Sequence, residues 1–275
     1  MWKNMSSRLL QHRRVHITKH DVGRFLKRNR KNLVAVAFLL LLAGIAYAGP
    51  KVAVASMIAP KEIPIYCVDR EDKVVALTFD AAWGNEDTQQ ILDILEEHGV
   101  KATFFATGGW VESYPDDVKR IIEAGHAFGN HSENHKFMTK LSDEQKKQEL
   151  LIVHNKVKEL TGYEMCLFRP PYGDYNDDVV KVADSLGYYT IQWSVDSLDW
   201  KDYGVDSIIK TVTQHKHLDN GAIILMHNGA KYTASALDAV ITGLKEQGYS
   251  FVTVAELIYT GKYHIDHTGK QIADE

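Results

Sequence analysis

The chain has 275 residues, room for one large domain or two small ones, and its 45% hydrophobic and 25% charged content excludes a disordered or fibrous protein. Two cysteines exclude a disulfide framework and any four-cysteine zinc module. The net charge of −4 hides a split, ten Lys and Arg against Asp21 alone in residues 1–32 and an acidic body after them, which disfavours nucleic acid as a partner.

Residues 33–48 follow the basic arm without a single charge. As a helix they span about 24 Å, just short of a ~30 Å hydrocarbon core. The apolar residues 52–60 extend the tract. Excess Lys and Arg keeps its own side of a membrane cytoplasmic. Residues 1–32 therefore read as a cytoplasmic arm able to touch anionic lipid, 33–52 as a transmembrane signal-anchor, and 53–72 as a linker. The expected location is the cell membrane, single-pass, with the body extracytoplasmic. Cleavage is the alternative: Ala46-Tyr47-Ala48 before Gly49 fits the small-residue rule and would release a soluble protein, although the leader is long for one that is removed. His12, His16 and His20 recur every four residues but lack an acidic or cysteine partner, so they read as a solvated basic helix rather than a metal site.

From Lys73 onward short apolar, β-branched runs alternate with helix-period segments. Strands are expected at 74–79, 102–106, 126–130, 166–168, 188–193, 222–226 and 249–253, and helices at 88–98, 116–124, 142–160, 177–186, 205–215 and 234–247. Ser142 with Gln145 forms a capping-box signature, and Gly99, Gly125, Gly187 and Gly248 stop four of the helices. Seven strands alternating with six helices argue a parallel α/β sheet over 73–260, open or closed into a barrel. No glycine-rich phosphate loop follows any strand, which disfavours a nucleotide-binding fold. Residues 261–275 read as a polar tail. Export permits a disulfide between Cys67 and Cys166, although Cys166 reads as a buried strand residue.

In such folds the chemistry sits at the carboxyl ends of the strands. There the sequence places Thr78-Phe79-Asp80, Asn130-His131, Phe168-Arg169, Asp196 with Asp199-Trp200, and Met226-His227. His131 and His135 stand four apart, and on a helical turn that spacing puts both imidazoles on one face, able to chelate a divalent ion. Taken singly each residue has a plain structural reading. Asp80 suits a helix cap, Arg169 before Pro-Pro-Tyr-Gly a turn, and His227 a satisfied core imidazole. Together they require five coincidences on one rim. A metallopeptidase is disfavoured because the glutamate of H-E-x-x-H is absent beside His131.

In order, Thr78-Phe79-Asp80, His131-x-x-x-His135, Arg169-Pro-Pro-Tyr-Gly, Asp196-Ser-Leu-Asp199-Trp200 and Leu225-Met-His227 resemble the five motifs of the polysaccharide deacetylases, carbohydrate esterase family 4. The resemblance implies a distorted, incomplete (β/α) barrel and hydrolysis of N-acetyl groups on amino-sugar polymers of the cell wall, usually with a divalent metal such as Zn²⁺. Carried over by position, Asp80 is the base, His227 the acid, and His131 with His135 the metal ligands. Arg169 orients Asp80 and keeps it ionised; Asp199 pairs with His227, with Asp196 as second choice. The backbone N–H near Tyr172 faces the oxyanion, while Trp200 and Leu225 wall the acetyl pocket. The sequence departs from the family at Ala81, where the usual T-F-D-D pattern has its third metal ligand. That leaves three outcomes: another ligand (Asp87, Glu133, Asn134 or water), metal-independent chemistry, or a site that only binds glycan. The Ala-Ala-Trp-Gly variant resembles a bacterial branch that includes sporulation-associated members. A glycan-binding pseudoenzyme and a structural wall or spore-assembly protein are the rival functions.

Overall fold

The computed structural model describes residues 19–57 and 61–274 and divides into two units, 1–60 and 61–275. The first contains helices α1 (Lys19–Arg28) and α2 (Arg30–Met57). His12 and His16 lie outside the described residues, as do the side chains around the Ala48 cleavage position. Among the described residues no helix is long and apolar enough to cross a membrane. The apolar side chains of α2 that are described, from Leu33 to Leu42, are exposed.

The second unit is built on one sheet. Its strands are β1 (Cys67–Val68), β2 (Val74–Ala81), β3 (Thr103–Ala106), β4 (Ala127–Asn130), β5 (Leu167–Phe168), β6 (Tyr189–Thr190), β7 (Val195–Asp196), β8 (Ala222–Asn228), β9 (Ser250–Phe251), β10 (Tyr263–Ile265) and β11 (Lys270–Ala273). The order is β10-β11-β1-β8-β2-β3-β4-β5-β6, with β7 also paired to β8 and β9 to β2. The pairs from β8 through β2 to β6 are all parallel. A single parallel bridge joins Ile65 to Ile191 beyond β6. The sheet is thus a curled, incomplete (β/α) barrel, as the resemblance implies. Around it lie α3 (Thr88–Glu97), α4 (Gly108–Ser113), α5 (Pro115–Glu123), α6 (Asp143–Thr161), α7 (Asp177–Ser185), α8 (Val205–Thr213), α9 (Thr233–Glu246) and α10 (Val254–Leu257). The capping box at Ser142 and Gln145 is formed, and each of the four expected stop glycines takes positive φ.

Strand alternation sorts the side chains into two cores. On β2, Val75, Leu77, Phe79 and Ala81 pack outward beneath the helices, while Val74 and Ala76 face the barrel interior. Both faces of β2 are fully buried, the condition of a parallel sheet covered on both sides. The interior is closed by Phe105, Leu167, Ile191 and Ile223. A Cβ on Gly129 would lie 2.5 Å from the Phe105 ring, so β4 leaves its inner face bare to admit that ring. The period of two then fixes what faces the barrel mouth: Thr78 and Asp80 follow Ala76, Arg169 follows Leu167, and Leu225 with His227 follows Ile223.

Three expectations fail. Residues 61–72 are not a linker: Ile65 and Val68 are buried in the inner core and Cys67–Val68 is a sheet strand, too short to show periodicity in sequence. Residues 261–275 are not a tail: β10 and β11 form a hairpin whose second strand pairs with β1, and Gln271 is fully buried. Its turn is held by Asp266, which accepts from Thr268 and Lys270, with Gly269 at φ 89°. Cys67 and Cys166 are both free, and Cys166 is exposed rather than buried because the strand residues after it carry the packing.

Candidate active site

A cavity of about 530 Å³ opens at the carboxyl ends of the strands. Asp80, His131, His135, Tyr172, Trp200, Leu225 and His227 line it, so seven of the nine residues singled out in sequence meet there. Arg169 and Asp199 lie behind the wall, fully buried, Arg169 against Asp80 and Asp199 against His227.

Asp80 Oδ1 accepts from Arg169 Nη1 at 2.7 Å. The same nitrogen donates to Thr78 Oγ1 at 2.8 Å, and Nη2 donates to the Gln192 carbonyl at 3.1 Å. The guanidinium lies over the Phe105 ring at 4.2 Å, so the buried cation is packed as well as paired. Burial opposes ionisation of Asp80, but the charge of Arg169, followed by those of His131 and His227, holds its carboxyl below the ordinary carboxylate range. A carboxylate kept ionised at the edge of a cavity can take a proton from water.

His227 Nδ1 lies 2.7 Å from Asp199 Oδ1. Asp199 also accepts from the His227 backbone N–H, the Trp200 N–H and Thr233 Oγ1, a dense set of donors for one buried carboxylate. Burial works against protonated His227. The Asp199 hydrogen bond and charge, helped by Asp80 and Asp196, outweigh it and raise the pKa above the ordinary histidine value. Asp199, not Asp196, is therefore the partner. Asp196 lines the cavity and accepts from the Leu198 N–H.

His131 donates from Nδ1 to the Arg169 carbonyl at 2.8 Å, which leaves Nε2 as the acceptor, 3.2 Å from His135 Nε2. A backbone carbonyl fixing the tautomer in this way is the usual support for a metal-binding imidazole. Residues 131–135 form no helix. The two rings meet instead because Ser132 and His135 take left-handed φ of 67° and 51°, with Ser132 N–H tied to Asn130 Oδ1 and His135 N–H to Ser132 Oγ. Burial lowers the His131 pKa to about 4, so its 3.6 Å approach to Asp80 is no ion pair at neutral pH.

Among the described residues these two imidazoles are the whole donor set. Ala81 packs in the outer core with Phe79, on the opposite face of β2 from Asp80. Asp87 bonds to Asn228 and Gly229 through Oδ1, Glu133 to Lys156 through Oε1, and Asn134 to Glu149; Asp87 Oδ2 and Glu133 Oε2 are buried without a hydrogen-bond partner, yet neither forms a three-ligand group with the pair. Among the described residues no group of three or more His, Cys, Asp or Glu side chains could hold an ion. These residues do not fit a catalytic metal with three protein ligands. Zinc added to the chelated protein is expected to bind weakly and to be removed by dialysis. Calorimetric titration should show that residual binding lost in His131→Ala.

Asp196 and Gly173, both within the quoted motifs, also line the cavity, while Trp83 and Trp193 are walls that the sequence does not assign. Of these two, Trp83, three residues past Asp80 at a strand exit, carries a visible signal. Left-handed residues cluster here, with Tyr172 at φ 61° and Leu198 at φ 56° beside Ser132 and His135. Such backbone is held only where the surroundings over-determine it.

Residues 68–191 match the family model described as polysaccharide deacetylase. The chain is 38% identical over 202 residues to the peptidoglycan-N-acetylmuramic acid deacetylase of Bacillus subtilis, covering 70% of this chain and 74% of that one. It is 39% identical over 235 residues to the peptidoglycan-N-acetylglucosamine deacetylase of Listeria monocytogenes, covering 84% of this chain but only 49% of the relative, so it spans about half that protein's length. Among solved structures it is similar to a family 4 pseudoenzyme from Bacillus anthracis, with a TM-score of 0.68 and 41% identity over 70% of this chain and 68% of the other. A mutant of that pseudoenzyme is described as having restored enzymatic activity.

Proposed function

The chain belongs to the polysaccharide deacetylase family of hydrolases, and from that premise we propose that it removes N-acetyl groups from the amino sugars of peptidoglycan, on N-acetylglucosamine or N-acetylmuramic acid units. The observation that carries this reading is the presence in one cavity of Asp80 and His227, each backed by a buried partner of opposite charge. Asp80 takes a proton from the water that attacks the acetyl carbonyl. The Tyr172 N–H faces the oxygen as it becomes negative. His227 gives its proton to the amine as the carbon–nitrogen bond breaks, releasing acetate and a free amino sugar. Trp200 and Leu225 enclose the acetyl methyl. Members of the family generally depend on a metal, but no step here is routed through one, since among the described residues only His131 and His135 stand together as ligands.

The test is acetate release from N-acetylglucosamine oligomers and from peptidoglycan by the purified chain. Release that disappears in His227→Ala is the expected result. A second reading, a glycan-binding pseudoenzyme, draws on Ala81 and on the similarity to the Bacillus anthracis pseudoenzyme. It is favoured if the folded chain binds oligomers and releases nothing.

The rate should trace a bell against pH. Asp80 is held below the ordinary carboxylate range and His227 above the ordinary histidine value, so kcat/KM stays level across at least ~4 to ~6.5 and falls only as pH drops through the depressed Asp80 pKa or rises through the raised His227 pKa. In Asp199→Asn the raising carboxylate is gone, His227 loses its proton at lower pH, and the alkaline limb moves to lower pH.

Location belongs to the same proposal. The basic arm before the apolar residues 33–48 supports an uncleaved anchor with the catalytic unit outside the cell. The exposed apolar side chains of α2 are the kind that lipid would cover. Carbonate extraction of membranes tests it: an anchored chain stays in the pellet, a cleaved one is soluble.

A further inference from the structure

Trp83 lines the cavity, yet the reaction as proposed gives it no part. Its indole is 45% exposed and lies nearly parallel to the His227 imidazole, with ring centroids 5.6 Å apart and planes 19° apart. Partial burial alone does not fix the orientation of a half-exposed indole; the backbone does. The segment that carries it is tied down at three points. Trp110 Nε1 donates to the Gly84 carbonyl at 2.7 Å, and Asn85 Nδ2 donates to Asp117 at 2.6 Å. Asp87 Oδ1 accepts from Asn228 Nδ2 at 2.6 Å and from the Gly229 N–H at 2.8 Å.

The last tie joins the loop after β2 to the two residues that follow His227. Gly229 takes φ 87°, and a Cβ there would stand 2.6 Å from the Trp83 carbonyl oxygen. The two strand exits can come this close only with glycine at that position. Ring and imidazole are therefore brought together by the fold from two separate elements.

We propose that Trp83 is a positioning residue for the proton-donating histidine: its indole face covers the His227 ring, keeps Nδ1 on Asp199, and favours the imidazolium over the neutral form. The electrostatic basis is the negative face of an indole against a cation. Asp199 meets the imidazole at Nδ1, Asp80 and Asp196 act on it through space, His135 opposes it with like charge when protonated, and Trp83 stacks on its face. The three carboxylates are shared by every variant compared below, so a difference between variants reports the ring. The kinetic part of this inference rests on the acid role of His227 in the proposed function. The stacking itself does not.

The experiment is an NMR pH titration of the full chain labelled at histidine Cε1, with the His227 resonance assigned by its loss in His227→Gln. Trp83→Leu should lower the His227 midpoint by roughly half to one pH unit, and Trp83→Phe, which keeps an aromatic face, by less. The alkaline limb of kcat should move by the same amount in the same direction, with KM moving less than kcat. In the unmutated protein, indole emission should rise as His227 loses its proton, with the NMR midpoint, and that step should vanish in His227→Gln. An unchanged midpoint in Trp83→Leu overturns the inference, as does the absence of the fluorescence step should that variant not fold. If the midpoint shifts while no form of the protein releases acetate, the stacking stands and the deacetylase reading falls.

Discussion

Replacing Asp80 with Asn is expected to lower kcat for acetate release by about 10²–10⁴-fold, with a much smaller change in KM. The amide matches the carboxylate in shape but cannot take a proton from water. It can still accept from Arg169 Nη1 through its carbonyl oxygen, the contact that now measures 2.7 Å. The cavity lining is otherwise unaltered, so oligomer binding should survive. Steady-state kinetics with the same preparation in a binding assay separates the outcomes. Equal activity in Asp80→Asn removes the base from the mechanism, whereas parallel loss of binding and rate points to a disrupted fold.

Replacing Arg169 with Met should have the largest effect on stability, a loss of about 3–5 kcal/mol at neutral pH. The guanidinium is wholly buried, and its removal leaves the Asp80 carboxylate buried without a counter-charge. The pH dependence fixes the cause. In the unmodified chain Asp80 has a depressed pKa, so it contributes stability above the unfolded value of ~3.9 and loses it as pH falls through the folded value. Without Arg169, burial dominates and the sign reverses. The Asp80 pKa rises, and the variant loses ground as pH climbs from ~4 toward 7. Urea unfolding at a series of pH values should therefore show the two proteins diverging with rising pH. A gap that stays constant would assign the loss to packing against Phe105 instead.

Much of the barrel could be read from pattern. Each of the seven expected strands has its counterpart, because buried parallel strands are continuous apolar runs and the helices between them end on glycine. The missed strands are segments of two to four residues. β1, β7, β10 and β11 take their structure from neighbours in the sheet, and nothing in so short a stretch shows a period. The four-residue spacing does bring the two histidines together, but not through a helical turn. Their geometry comes from two left-handed residues and side-chain ties.

What the sequence by itself determined was the identity and order of the groups that meet at the rim. Side-chain chemistry and a period of two along a strand are local properties, so Asp80, Arg169, Leu225 and His227 at strand ends pointed to one rim before any coordinate was known. Tertiary structure decided the pairings. Asp199 rather than Asp196 holds His227, Arg169 reaches Asp80 from three strands away, and Trp83 stacks on an imidazole 144 positions further along the chain. It also decided that, among the described residues, no third His, Cys, Asp or Glu side chain joins His131 and His135 in the place left by Ala81. Distance, burial and the sign of a neighbouring charge fix which protons are held and which are given up. Those quantities exist only once the sheet has curled and brought its strand ends together.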